Sequence, residues 1–319
     1  MAETDKKDID AHTGVETTGH EWDGIKELNN PLPRWWLWVF YASIVWSVIY
    51  MIFMPAIPAL PGMQGYTPGL RDHTERENVH NALADLQTAR EPQFERLQQA
   101  AAEGGIEAIE ADPELLRFAL AAGDSAFGDN CATCHGEGGQ GAIGYPNLND
   151  DIWLWGGTFD EIRHTLEVGI RSDHPEARYS QMPAYGADGL LERQEINAVA
   201  DHVMTLAGLI EPTEAGETTG AEIYEFQCAA CHGVDATGDR MVGAPNLVDN
   251  YWLYGSEREQ IVNSIWRGPF GVMPNWGERL NDPTITALAA YVYLLGGGEP
   301  DEFAEAALLD RDPGGEAGQ

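Results

Sequence analysis

The chain has 319 residues, with 18 lysines and arginines against 52 aspartates and glutamates, so its formal net charge is −34. The length suggests about two domains with connecting segments, and a hydrophobic content of 43% excludes full disorder. So acidic a surface repels phosphate backbones and disfavours nucleic-acid binding. Cations, basic proteins or neighbours in an assembly are the expected partners.

An uncharged stretch of twenty residues follows the acidic segment 1–34 and runs from Trp35 to Met54. A helix of that length spans about 30 Å, which matches the hydrocarbon core of a bilayer. A buried core helix would usually be shorter or carry a polar stripe. A cleaved signal peptide would begin with a short basic segment and end at a small-residue cleavage site. The sequence therefore predicts one uncleaved transmembrane helix over residues 35–54.

Basic residues around this span indicate its orientation. Lys26 and Arg34 lie close before it, and no lysine or arginine follows it until Arg71. Because basic residues favour the cytoplasmic side, we expect a cytoplasmic N-terminus and an exported remainder. Residues 55–112 then form a linker that contains helical segments, which we expect to be interrupted near Pro92.

An internal repeat occupies most of the exported part. Both copies contain Cys-x-x-Cys-His, Pro-Asn-Leu, a tryptophan, a glycine, Met-Pro and a terminal amphipathic helix. The offset between copies is 97 residues at the cysteines, 99 at the prolines and 91 at the methionines. Two tandem domains are therefore predicted, over residues 113–209 and 213–297, followed by an acidic tail over 298–319 to which we assign no role.

The Cys-x-x-Cys-His motif is the attachment sequence of c-type haem, in which two thiols bind the porphyrin and the histidine binds iron. It occurs at Cys131, Cys134 and His135, and again at Cys228, Cys231 and His232. A thioredoxin-like pair would need a βαβ context, of which there is little sign. A four-cysteine zinc site would leave both histidines unexplained. The sequence thus predicts two covalently bound haem c groups.

The second axial ligand of each iron must follow its motif in the chain. Met182 and Met273 are the candidates, because they occupy matching positions before a proline and a terminal helix. Met204 falls on the apolar face of a helix, and Met241 is expected in a loop. His164, His174 and His202 have no counterparts in the second copy, so they are expected at the surface or at a haem edge. Ligation within each repeat is the default, and exchange of the two methionines between the repeats stays open.

Proline carbonyls are expected beside the histidines. A ligating imidazole usually donates its second nitrogen proton to such a group, which fixes the ring. Pro146 and Pro245 follow the two motifs at a suitable distance.

A string before the membrane span narrows the family. Gly19 to Ile25 read GHEWDGI and Glu27 to Trp36 read ELNNPLPRWW, and these lead into the span and then the two haem motifs. In this the chain resembles the dihaem subunit III, FixP or CcoP, of cbb3-type cytochrome c oxidases over about residues 19–296. The resemblance implies a mainly α protein, with one transmembrane helix in the bacterial inner membrane and two tandem class I cytochrome c domains in the periplasm.

The resemblance also implies a function and partners. Subunits of this kind accept electrons from a cytochrome c or the cytochrome bc complex. They pass them to a monohaem cytochrome c subunit and then to a catalytic haem b–copper subunit that reduces oxygen. The chain itself would have no catalytic residues. Two alternatives remain: a membrane-anchored dihaem carrier for another periplasmic dehydrogenase or reductase, and a haem-based ligand sensor. Steering of a basic cytochrome c explains the acidity about as well as a saline habitat or general solubility does.

Overall fold

The computed structural model of the chain describes residues 8–54, 56–58, 65–67, 69–71 and 74–300. Most described residues outside loops are helical, which confirms the predicted class. The chain divides into two compact units, Met1–Ala89 and Arg90–Gln319. Most of the predicted acidic tail, residues 301–319, lies outside the described residues.

A small β-hairpin opens the first unit. Strands β1 (Thr17–Trp22) and β2 (Ile25–Leu28) are antiparallel, and Trp22 pairs with Ile25. Asp23 and Gly24 connect them with φ of 50° and 86°, as the commonest two-residue hairpin turns require. This hairpin was not predicted from the sequence, although Asp-Gly between apolar residues is its usual signal.

Helix α1 (Arg34–Phe53) matches the predicted span to within one residue at each end. An 18-residue window of this 20-residue helix has a mean hydropathy of 1.8, and none of the helix's side chains is buried. By length and composition this helix can cross a membrane.

Helix α2 (Glu75–Glu110) lies within the predicted linker 55–112, which was expected to contain helical segments. The expected interruption near Pro92 is wrong, because the helix continues through that proline and its geometry breaks instead at Gly104 and Gly105. Gly105 has φ of +60°, which a residue without Cβ adopts readily. The later part of α2 buries apolar side chains in a core, namely Leu97, Ile106 and Ile109.

The first repeat contains α3 (Pro113–Asn130), α4 (Ala132–His135), α5 (Phe159–Val168) and α6 (Arg193–Leu206). The second contains two π-helical turns, Gly216–Gly220 and Tyr224–Cys228, which flank α7 (Ala221–Ile223). It continues with α8 (Ala229–His232), α9 (Arg258–Arg267) and α10 (Asp282–Tyr293). Side-chain caps set where several of these helices begin: Asp112 accepts from Glu114 N at 3.0 Å, and Asn281 from Thr284 N at 3.0 Å.

Two hydrophobic cores organise these helices, and each draws on both repeats. The first core joins α2, α3 and α5 to the terminal helix α10 of the second repeat. The second core joins the helical run 216–228 and α9 to the terminal helix α6 of the first repeat. The terminal helices are thus exchanged. Burying an aliphatic side chain contributes about 1.5–3 kcal/mol to the free energy of unfolding. Burial in the two cores therefore stabilises the exchanged arrangement.

Two glycines mark the crossings of the exchanged helices. Gly123 of α3 lies so close to α10 that a Cβ would overlap Ala287 and Tyr291. Gly220 makes the same approach to Ala198 and His202 of α6. The first helix of each repeat therefore packs on the terminal helix of the other.

Candidate functional site

The two Cys-x-x-Cys-His motifs form tight helical turns directly after a longer helical run. In the first, the amides of Cys134 and His135 both donate to Cys131 O at 3.0 Å. Cys131 is buried and Cys134 exposed, whereas Cys228 is half-buried and Cys231 exposed, and all four thiols are free of disulfides. One thiol of each motif thus faces a core and the other faces outward.

Burial raises the pKa of Cys131 to about 11 and that of Cys228 to about 11. Redox-active and metal-binding cysteines are usually stabilised as thiolates with a lowered pKa. Burial instead holds these two thiols in the neutral form. The pairs also pack on separate cores, and no metal-binding group of three or more histidines, cysteines and acids occurs among the described residues.

Both motif histidines have the predicted proline partner. His135 Nδ1 lies 3.0 Å from Pro146 O, and His232 Nδ1 lies 3.0 Å from Pro245 O. Donation from Nδ1–H leaves Nε2 with its lone pair free for a metal. Burial lowers the pKa of both imidazoles, which favours the neutral form that ligates iron.

Glycines bring these prolines close to the motifs. The amide of Gly141 donates to His135 O at 2.7 Å, and that of Gly238 donates to His232 O at 2.8 Å. A Cβ at Gly141 would lie 2.6 Å from Asn147 N, beside Pro146. Residues with side chains would therefore push the proline carbonyl away from the histidine.

The two methionines lie across the exchange. Met182 packs against the second core, which contains the Cys228 motif, and Met273 packs against the first core, which contains Cys131. Met273 is held there by two backbone hydrogen bonds of 3.0 Å with Ile170 of the first repeat.

Equivalent contacts fix the two methionine loops, which are the loops that carry Met182 and Met273. Gly277 N donates to Glu167 O at 3.2 Å, and in the related position Gly186 N donates to Trp266 O at 3.2 Å. Each Met-Pro also lies against a glycine that ends a helix of the other repeat. A Cβ at Gly169, which ends α5, would overlap Met273 O, and one at Gly268, which ends α9, would overlap Met182 O. The structure therefore groups Met273 with the first motif and Met182 with the second.

The remaining candidates are placed as follows. Met204 is buried in the second core and Met241 is 87% exposed in a loop, as predicted. His164 is exposed, and half-buried His174 accepts a hydrogen bond from Glu176 N.

The structure gives His202 a packing role. It is half-buried rather than at the surface, and its ring contacts Tyr224 at 5.4 Å between centroids. When the two terminal helices are aligned in sequence at an offset of 89 residues, His202 is equivalent to Tyr291. The ring of Tyr291 contacts that of Phe127 at 5.4 Å between centroids. This alignment of the two terminal helices is the sequence signal from which the aromatic contact of His202 could have been predicted.

Family models match three parts of the chain. The N-terminal domain of cytochrome oxidase-cbb3, FixP, matches residues 14–61. Cytochrome c matches residues 120–207, and cytochrome c oxidase, cbb3-type, subunit III, matches residues 215–292. The pre-membrane string and both haem motifs lie inside these matches.

Curated relatives match nearly end to end. The cbb3-type cytochrome c oxidase subunit FixP of Bradyrhizobium sp. (strain ORS 278) is 48% identical over 297 residues, covering 92% of this chain and 99% of the relative. The subunit CcoP of Azospirillum brasilense is 46% identical over 301 residues, covering 92% and 99%. That of Cereibacter sphaeroides is 47% identical over 284 residues, covering 89% and 95%. The chain therefore belongs to the FixP and CcoP family of cbb3-type cytochrome c oxidase subunits.

Proposed function

We propose that this chain binds two haem c groups through Cys131 and Cys134 and through Cys228 and Cys231, with His135 and His232 as proximal ligands. The observation that carries the proposal is the repeated histidine-to-proline hydrogen bond, which leaves a neutral Nε2 in a motif that also holds a free thiol pair at the edge of each core. When bound, each haem supplies a one-electron redox centre.

The distal ligands in this proposal are exchanged between the repeats. Met273 serves the haem held by Cys131 and Cys134, and Met182 serves the haem held by Cys228 and Cys231. The packing of each methionine on the opposite core supports this pairing. A thioether opposite imidazole stabilises ferrous iron and raises the reduction potential, which suits an electron carrier.

The function that follows is electron transfer within a cbb3-type cytochrome c oxidase. The chain accepts electrons from a periplasmic cytochrome c or the cytochrome bc complex and passes them towards the monohaem and the catalytic haem b–copper subunits, where oxygen is reduced. The family relationship and the two haem-binding cores support this role.

The proposed location is the bacterial inner membrane, crossed once by α1. Lys26 and Arg34 before α1 support a cytoplasmic N-terminus. Both haem-binding cores then lie in the periplasm, where donor cytochromes can reach them.

The first experiment is pyridine haemochrome quantitation and a reduced-minus-oxidised spectrum of the detergent-purified complex. Two c-type haems per chain together with haem b and copper support the proposal. Two c-type haems without haem b or copper, in a preparation that keeps its partners, favour a carrier for another enzyme. Absence of covalent haem overturns the proposal entirely.

The ligand pairing needs a chain with only one haem. In a variant with Cys131→Ser and Cys134→Ser, adding Met182→Ala should make the remaining ferrous haem five-coordinate and able to bind carbon monoxide. Adding Met273→Ala in the same background should leave it six-coordinate. The reverse result would place each methionine on the haem of its own repeat. Carbon monoxide binding by the unsubstituted chain would favour a ligand sensor.

A further inference from the structure

Two arginines of the first repeat form no ion pair among the described residues. Arg171 and Arg178 are both half-buried, in a chain with 52 acids and only 18 lysines and arginines. Among the described residues, no carboxylate lies within ion-pair distance of either guanidinium. Burial lowers the pKa of both groups, because desolvation outweighs the charge interactions of Arg171 with Tyr254 and Tyr179 and of Arg178 with Glu161.

Arg171 joins the two methionine loops. Its Nε donates to Gly271 O and its Nη1 donates to Ser180 O at 3.1 Å, and each acceptor lies two residues before a methionine. Its guanidinium also lies over the ring of Phe270 at 5.4 Å. Arg171 adopts a backbone φ of +50°, which is uncommon for residues other than glycine. A guanidinium has five N–H donors, so these two bonds leave others for a further acceptor.

Arg178 has an unsatisfied donor. Its Nε is buried and has no hydrogen-bond partner, and its Nη2 reaches Glu161 O only at 3.4 Å. The carboxylate of Glu161 is already used, since it accepts from Thr158 N at 3.1 Å and Thr158 Oγ1 at 2.9 Å. The guanidinium lies over the ring of Trp155 at 5.6 Å.

The surroundings of the two arginines are related by the repeat. Trp155 packs on Gly243, and at the matching position Tyr254 packs on Gly144. Both glycines lie two residues before the proline whose carbonyl holds a motif histidine. Arg178 therefore stacks on one of these aromatic residues, and the charge of Arg171 interacts with the other. The arginines thus lie among the segments that carry both ligands of both proposed haems.

We infer that Arg171 and Arg178 form a carboxylate-binding site, and that its ligands are propionate groups of the two haems. This inference rests on the proposed haem binding. A haem brings two carboxylates into a protein, and planar guanidinium groups bind carboxylates with several parallel donors. The site would fix the porphyrins and keep a positive charge beside the irons.

The test compares Arg178→Gln and Arg171→Gln in the full-length, haem-loaded protein. Because a nearby cation stabilises the reduced haem, each substitution should lower the midpoint potential of at least one haem. It should also shift the propionate bending band in the resonance Raman spectrum. Arg178→Lys, which keeps the charge, should restore most of the potential. Arg279→Gln removes an exposed arginine that stacks on Trp276 at 5.4 Å, and should change neither property.

The outcomes separate this inference from the proposed function. Loss of covalent haem from the unsubstituted chain would overturn both. Two haems per chain with unchanged potentials and Raman bands in both glutamine variants would overturn this inference alone. An external anion as the ligand is a third outcome that contradicts it: the potentials of the unsubstituted protein would then depend on inorganic phosphate at constant ionic strength, and the propionate band would not respond to the substitutions.

Discussion

Each core is built from equivalent helices of the two repeats, but the first core also contains helix α2. The second core has no counterpart of α2 among the described residues. Leu97 and Ile109 of α2 are completely buried there. The helix that leads to the first haem motif is a regular α-helix of 18 residues with Asp112 as its cap. The corresponding run in the second repeat is interrupted by π-helical turns.

A sequence repeat suggests that its two copies share both the chemistry of their iron ligands and the structural support around them. Here the two properties behave differently. The histidine, proline, glycine and methionine contacts are nearly the same in both halves, so the proposed iron ligands have the same chemistry. The support around them differs, since π-helical turns are rare and usually local distortions of an α-helix. We therefore expect the first core to be the more stable.

Leu97→Ala tests the contribution of α2 and should have the largest effect. Truncating a fully buried leucine typically costs about 3 kcal/mol of unfolding free energy. Hydrogen exchange of the purified full-length protein should become faster in α3 and α10 and stay unchanged in α6 and α9. Leu86→Ala is the matched control, because Leu86 lies on the same helix and is 43% exposed. Equal acceleration in both cores would contradict separate support.

Gly123→Ala tests the crossing of α3 with the exchanged helix α10. The added methyl group would overlap Ala287 O, so one helix must move, at a cost of about 2 kcal/mol. Gly128→Ala on the same helix meets nothing within 4 Å and should be neutral or slightly stabilising. Thermal unfolding monitored at the haem absorption checks both. Equal stability of the two variants would show that α10 does not pack closely on Gly123.

Much of this architecture was predictable from local patterns. The span before residue 55, both haem motifs and the two methionine positions follow from composition and spacing. So does the proline carbonyl beside each histidine, because ligand geometry demands an acceptor there.

The exchange of the terminal helices was not predicted, and only an exchange of the two methionines was left open, for a physical reason. Both terminal helices carry similar apolar faces, and either could cover either core by burial alone. Choosing between them depends on long-range contacts, such as Gly169 against Met273, that have no local signature. The continuation of α2 through Pro92 is not explained by packing, because residues 75–92 are all exposed.

His202→Tyr tests the aromatic contact that differs between the cores, because it introduces the residue found at the matching position, Tyr291. Burial lowers the pKa of His202 below its ordinary value. The second core should therefore be fully stable above pH about 6.5 and lose stability as the pH falls below that value. The variant should lose this part of the pH dependence, while the axial histidines contribute equally to both proteins. Parallel thermal midpoints between pH 5 and pH 8 would contradict this assignment.

Glu299→Gln tests the contact that ties the end of the second repeat to loops of both repeats, and its effect should be the smallest. Glu299 accepts from Arg240 at 2.6 and 2.8 Å and from Gly157 N at 2.9 Å. Because Arg240 is 55% exposed, the pair should contribute less than about 1 kcal/mol, and less in high salt. Glu278→Gln, at an exposed position, controls for charge. In a chain with net charge −34, removing one carboxylate relieves repulsion and should stabilise slightly. Opposite signs for the two variants would therefore identify the Glu299 contacts as specific, whereas equal stabilisation would show that they contribute nothing beyond charge.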